Sequence, residues 1–146
     1  MRALEAASFE VSLIQEGPTF CRMVAARADE VVLVDLAIDA VPHDRPTVTV
    51  LGPTLGPLEL AGRKLLALFG RAEARDFADV YTLARRFGKA ALLARAQALD
   101  AGFDTRVLGQ MMGTLGRFAD DEVPLPPGDL ALAKDFFDEW AAELRS

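Results

Sequence analysis

The sequence predicts an α+β fold, in which a small antiparallel or mixed sheet is followed by a helical bundle. Two observations carry this prediction. β-branched and aromatic residues concentrate in three segments before residue 40, and helical apolar periodicity takes over after residue 57. With 146 residues, of which 51% are hydrophobic, the chain can bury one core. We therefore expect one compact unit with a sheet region at 1–56 and a helical region at 57–146.

The elements follow in order along the chain. Strands are predicted at 9–15, 20–26 and 30–37, with a turn at 27–30. A connector rich in proline and glycine spans 41–57 and includes a short strand at 47–51. Five helices are predicted after it, separated by glycines at 70, 88 and 102, with Asp104 or Thr105 as an N-cap. They span 58–70, 76–87, 89–101, 104–118 and 128–144.

Charge is unevenly distributed. The net charge of −6 argues against a protein that coats nucleic acid with its whole surface. Residues 63–95, however, carry eight basic residues against three acidic ones, a local balance of +5, which leaves −11 for the rest. Such a region suits a phosphate-bearing ligand, although an ordinary solvated helix face has the same composition.

Cysteine use and hydropathy indicate the compartment. Cys21 is the single cysteine, which excludes an internal disulfide and a thiolate zinc site. The N-terminus has no apolar signal-peptide core, and no apolar run approaches 18 residues. We expect a cytoplasmic protein without a membrane span.

Charged residues at helical spacing form the first candidate site. Lys64 and Arg71 lie seven residues apart and share a helix face that can point at a phosphate. Asp76 and Asp79 lie three residues apart and can bind a divalent cation or a basic partner together. Solvated basic residues and acids that stabilise a helix dipole produce the same spacing, so both interpretations stay open.

Asp35 is a second candidate, because it interrupts the apolar strand VVLVDLA. An unpaired carboxylate buried there would cost several kcal/mol, so the position suggests metal binding or general-base chemistry. An ion pair with a nearby arginine, or a position at a strand edge facing water, explains it equally well.

The order of these segments resembles the AbiEii/AbiGii toxin family of nucleotidyltransferases, which is similar to DNA polymerase β. The resemblance rests on ALEAASFEV, the strand with VDLAID, GPLELAGRKLLALFGRAEARDFADVYTLARRFG, and LDAGFD with the helical tail. It corresponds to the C-terminal two-thirds of that family. The sheet would then be a remnant of the nucleotidyltransferase fold.

The resemblance implies a toxin of a toxin–antitoxin or abortive-infection system that uses Mg²⁺ and a nucleoside triphosphate (NTP), with tRNA as an acceptor and a cognate antitoxin. It implies Asp35 as a catalytic, metal-binding carboxylate, and Lys64 and Asp76 as catalytic residues of the nucleotide site. Arg71, Arg75 and Asp79 would support the nucleotide. Carboxylates hold metal ions and cations neutralise the triphosphate in such chemistry.

The chain departs from the family pattern in one respect. Neither a Gly-Ser turn nor an Asp-x-Asp strand occurs anywhere in the sequence. Without those carboxylates too few ligands remain for two Mg²⁺ ions, so we expect no detectable turnover by this chain alone. A fragment, a gene with an upstream start, and a degenerate relative are the three explanations. The alternative function is a non-catalytic RNA- or protein-binding module.

Overall fold

The computed structural model describes residues 1–50 and 52–145. Three antiparallel strands precede a set of helices, which confirms the predicted α+β class. A short 3-10 turn, Leu115–Arg117, lies between the last two helices. The elements are, in order, α1 (Arg2–Ala6), β1 (Glu10–Glu16), β2 (Phe20–Arg27), β3 (Glu30–Ala37), β4 (Thr47–Thr49), β5 (Gly52–Thr54), α2 (Pro57–Gly70), α3 (Ala74–Phe87), α4 (Lys89–Leu99), α5 (Thr105–Met112) and α6 (Pro127–Glu143).

The chain divides into two compact units, Met1–Val41 and Pro42–Ser146. The first contains the sheet in the order β1-β2-β3, with both pairs antiparallel. A two-residue turn joins β2 to β3, and Ala28 takes a positive φ of 51° there. The register of β1 shifts between Leu13 and Gln15, which indicates a bulge. The predicted turn at 27–30 and the three predicted strands are confirmed.

Apolar side chains of the first unit remain largely exposed. Met23 and Ala25 on β2 are buried, but β3 leaves Val31 and Leu33 more than half exposed. The concentration of β-branched and aromatic residues therefore predicted the strands correctly, although most of these side chains on β3 are not buried.

The second unit contains the large hydrophobic core. Its buried cluster is drawn from residues between Ala61 and Ala141, and T-shaped contacts join the rings of Phe77, Phe136, Phe137 and Trp140. The connector before it forms a two-stranded hairpin, β4 with β5. The single strand predicted at 47–51 is thus half of a hairpin, and its last residue lies outside the described residues.

Two other elements differ from the prediction. The helix expected over 104–118 ends at Met112, because Gly113 follows and the Thr114 hydroxyl donates to the Met111 carbonyl at 2.7 Å. The short helix α1 was not predicted. Among the described residues, no helix is both long and apolar enough to cross a bilayer.

Candidate functional site

The helix pair α2–α3 carries most of the predicted site. Pro57 begins α2 and Gly70 ends it, and a three-residue turn leads into α3. Lys64 lies on α2 and Arg71 directly follows its last residue, while Arg75 and Asp79 lie on one stripe of α3. We call this charged surface the α2–α3 corner, and define it by Lys64, Arg71, Glu73, Arg75, Asp76, Asp79 and Arg117.

Arg71 and Asp76 form the fixed pair of the corner. The guanidinium donates two hydrogen bonds to the carboxylate, Nε to Oδ2 and Nη2 to Oδ1, both at 2.9 Å. The Glu73 amide donates a third, at 3.1 Å to Oδ2. Asp76 has no exposed surface, whereas the Arg71 side chain is 46% exposed. Burial acts to raise the pKa of Asp76, but the hydrogen bonds from Arg71 and Glu73 outweigh it and lower that pKa.

The remaining cations make looser pairs at the surface. Lys64 Nζ lies 2.7 Å from Asp79 Oδ2, with both side chains about a third or more exposed. Arg75 Nη2 lies 3.0 Å from Glu73 Oε2, which Arg71 Nε also approaches, at 3.8 Å. The structure therefore brings the five predicted helix residues together, and it pairs each predicted cation with a carboxylate.

Arg117 completes the corner, and sequence reasoning missed it. Its Nη2 donates to the Ala72 carbonyl at 2.6 Å, and lies 3.4 Å from the Arg71 carbonyl. Ala72 is buried with a φ of 48°, a conformation that residues other than glycine seldom adopt. Arg117 thus holds the turn that aims Arg71. No local signal in the sequence connects residues this far apart.

Asp35 lies in the first unit, opposite Arg22 on β2. Arg22 donates to both carboxylate oxygens at 2.7 Å, and both side chains are about 40% exposed. These hydrogen bonds hold the pKa of Asp35 below its usual value. The ion pair with an arginine, one of the alternatives drawn from sequence, describes the observed contact.

The carboxylates of the described residues do not make a Mg²⁺ site. Among the described residues, no group of three or more His, Cys, Asp or Glu side chains is placed so that it could hold a metal ion. Both oxygens of Asp76 and both oxygens of Asp35 accept from arginine, and Asp79 contacts Lys64. Because Mg²⁺ requires near-octahedral oxygen ligands, this donor set does not fit the metal that the resemblance implies.

A second charged cluster lies on the other side of α2, and the sequence did not reveal it. Glu59 is fully buried and accepts from the amides of His43 and Asp44, at 3.1 and 2.9 Å, and from Arg63. Arg95 on α4 pairs with Asp44 and lies 3.6 Å from Glu59. The amide of Asp44 contributes most to lowering the pKa of Glu59, to about 2. This cluster fastens the connector to α2 and α4.

Comparison with known proteins gives one informative match. A family model described as "Nucleotidyl transferase AbiEii toxin, Type IV TA system" matches residues 9–146. No match to the chain is found among curated proteins or among solved structures. Since the model covers nearly the whole chain, the protein belongs to the family of nucleotidyl transferase AbiEii toxins of type IV toxin–antitoxin systems.

Proposed function

We propose that this chain binds the triphosphate of an NTP at the α2–α3 corner, as part of a toxin that transfers a nucleotide to an acceptor such as tRNA. The observation that carries the proposal is the placement of four cations on α2, on α3 and around the turn between them: Lys64, Arg71, Arg75 and Arg117. Several cations are what a triphosphate requires. The family implies a cognate antitoxin. Since cells keep their NTPs in the cytoplasm, the reaction would take place there.

The ion pairs of the α2–α3 corner differ in burial, and the roles that we propose for the cations differ accordingly. Exposed ion pairs contribute at most about 1 kcal/mol, so Lys64 and Arg75 can exchange Asp79 and Glu73 for phosphate oxygens at small cost. Arg71 cannot leave Asp76 so cheaply, because Asp76 would remain buried and unpaired. Lys64 and Arg75 are therefore the proposed phosphate contacts. Arg71 offers the exposed edge of its guanidinium to the phosphate, and Asp76 fixes the orientation of that guanidinium.

We further propose that this chain alone does not transfer nucleotides. The sequence contains no Asp-x-Asp pair, and the donor set described above does not fit Mg²⁺. The proposed role of Asp35 as a metal-binding carboxylate would require further carboxylates and the departure of Arg22. Incubation with tRNA, Mg²⁺ and each radiolabelled NTP should leave the tRNA unlabelled. Labelled tRNA would contradict this part of the proposal.

Calorimetric titration with each of the four NTPs tests the binding. Lys64→Ala should weaken NTP affinity by about tenfold, since one charge-assisted phosphate contact is lost. Lys134→Ala is the matched control, because Lys134 also pairs with an exposed aspartate at 2.7 Å, Asp120. It should change affinity less than about twofold. Absence of NTP binding by the unmodified chain, or equal effects of the two substitutions, would refute the proposal.

A non-catalytic RNA-binding module is the second candidate, favoured by the excess of basic residues over 63–95. RNA binding through many phosphates would weaken steeply with salt, whereas a single NTP contacts fewer cations. Titration with an RNA oligonucleotide at two salt concentrations separates the two. Tight, salt-sensitive RNA binding without NTP binding would favour the module.

A further inference from the structure

An apolar groove lies at the open end of the same helix pair. Its volume is about 590 Å³. Five of its seven lining residues are apolar, and Leu60 on α2 is 38% exposed there. We call it the α2–α3 groove, lined by Thr54, Leu55, Pro57, Leu60, Leu83, Arg86 and Phe87.

The groove continues the charged surface of the corner. On α2, Leu60 precedes Lys64 by one helical turn, and on α3, Leu83 follows Asp79 by one turn. At 1.5 Å rise per residue, Lys64 stands ~6 Å along the axis from Leu60 and ~10 Å from Pro57. If the phosphates of a ligand lie at Lys64, a group of that ligand only a few bonds from the phosphates therefore reaches the groove.

Arg86 gives the groove a flat cationic wall. Its guanidinium lies 5.1 Å from the centroid of the Phe87 ring. Among the described residues it makes no ion pair, unlike the paired cations of the corner. A guanidinium beside an aromatic ring offers a surface for stacking, and the apolar lining favours a group that leaves water readily.

We propose that the α2–α3 groove binds the nucleoside part of the NTP whose triphosphate binds at the corner. This rests on the proposed function, and it adds where the base lies. A planar aromatic base fits an apolar groove with a stacking arginine, and the ribose spans the turn between Leu60 and Lys64.

Calorimetric titration with ATP and with inorganic tripolyphosphate, in the same Mg²⁺ buffer, tests the groove. The unmodified chain should bind ATP about tenfold more tightly than tripolyphosphate, because only ATP fills the groove. Leu60→Gln should weaken ATP binding about fivefold and leave tripolyphosphate within about twofold. Leu58→Gln is the matched control, since Leu58 lies on the same helix with the same 38% exposure but does not line the groove.

The outcomes separate the two proposals. If neither ligand binds, the proposed function fails. If the unmodified chain binds ATP and tripolyphosphate equally, the corner binds phosphate and the groove proposal is overturned. An unchanged affinity of Leu60→Gln for ATP, or equal losses in Leu60→Gln and Leu58→Gln, also overturns it.

Discussion

Asp76 and Asp79 lie three residues apart on α3, and their carboxylates have opposite surroundings. Asp76 is fully buried and accepts three hydrogen bonds, whereas Asp79 is 40% exposed beside Lys64. Sequence spacing treats them alike. Burial distinguishes a carboxylate that holds the helix start from one that is available to exchange partners.

Replacement of each aspartate measures this difference. Asp76→Ala should lower the free energy of unfolding by about 3 kcal/mol, because it removes a buried partner of Arg71 and the acceptor for the Glu73 amide. Asp79→Ala should lower it by at most about 0.5 kcal/mol. Urea unfolding followed by circular dichroism gives both values. Equal losses would show that the burial of Asp76 has no energetic consequence.

Glu59 makes stability depend on pH at the acidic end. Its pKa is lowered from the ordinary 4.5 to about 2, so its ionised form stabilises the fold above pH 4.5. That contribution is lost as the pH falls from 4.5 towards 2. Glu59→Gln should therefore be less stable than the unmodified chain at pH 6, and the two melting temperatures should converge near pH 2. A difference that stays constant between pH 6 and pH 2.5 would contradict the pKa shift.

The packing of α2 on α4 depends on a glycine within α2. A Cβ at Gly62 would lie 2.6 Å from Arg95 Cγ and 3.0 Å from Leu99 Cδ1. Arg95 Cβ also lies 3.0 Å away, and because it is bonded to the backbone this clash cannot be relieved by moving the far end of the side chain. Gly62→Ala should destabilise the fold by about 2 kcal/mol despite the better helix propensity of alanine.

Gly70→Ala is the matched control for that substitution, because Gly70 ends the same helix and no atom lies within 4 Å of its added Cβ. It should be neutral or slightly stabilising. Midpoints of urea unfolding compare the two variants. If Gly62→Ala unfolds at the same urea concentration as Gly70→Ala, α2 and α4 leave room for a Cβ at position 62 and the prediction is wrong.

Local patterns predicted the elements well and the contacts poorly. The concentration of β-branched and aromatic residues predicted three strands, and the glycines at 70 and 88 ended α2 and α3 as expected. The partners of the charges were not predictable, because Arg117 reaches Ala72 and Glu59 reaches Asp44 across long stretches of chain. Burial of Glu59 is the clearest case, since an acid in a first helical turn is typical of a solvated position.

At the scale of the molecule, apolar burial is concentrated in one of the two units. The buried cluster lies wholly between Ala61 and Ala141, while the first unit contributes Met23 and Ala25 as buried apolar side chains. Large apolar side chains of β3 and of the following residue are exposed by more than half: Val31, Leu33, Leu36 and Ile38. Because burial of apolar area is the main favourable term in folding, most of the stability should reside in the second unit.

The second unit should therefore fold without the first. A fragment spanning 42–146 should keep its helical circular dichroism and melt cooperatively, within about 5 °C of the full chain, because it retains the whole buried cluster and the Glu59 cluster. A peptide of residues 1–41 should show no cooperative transition, since a three-stranded sheet with so few buried side chains lacks a core. Phe137→Ala in the fragment provides a control, because loss of this fully buried ring should lower the melting temperature strongly. A fragment that is unfolded at 20 °C would show instead that the helices depend on residues 1–41 for their stability, although few side chains of those residues are buried.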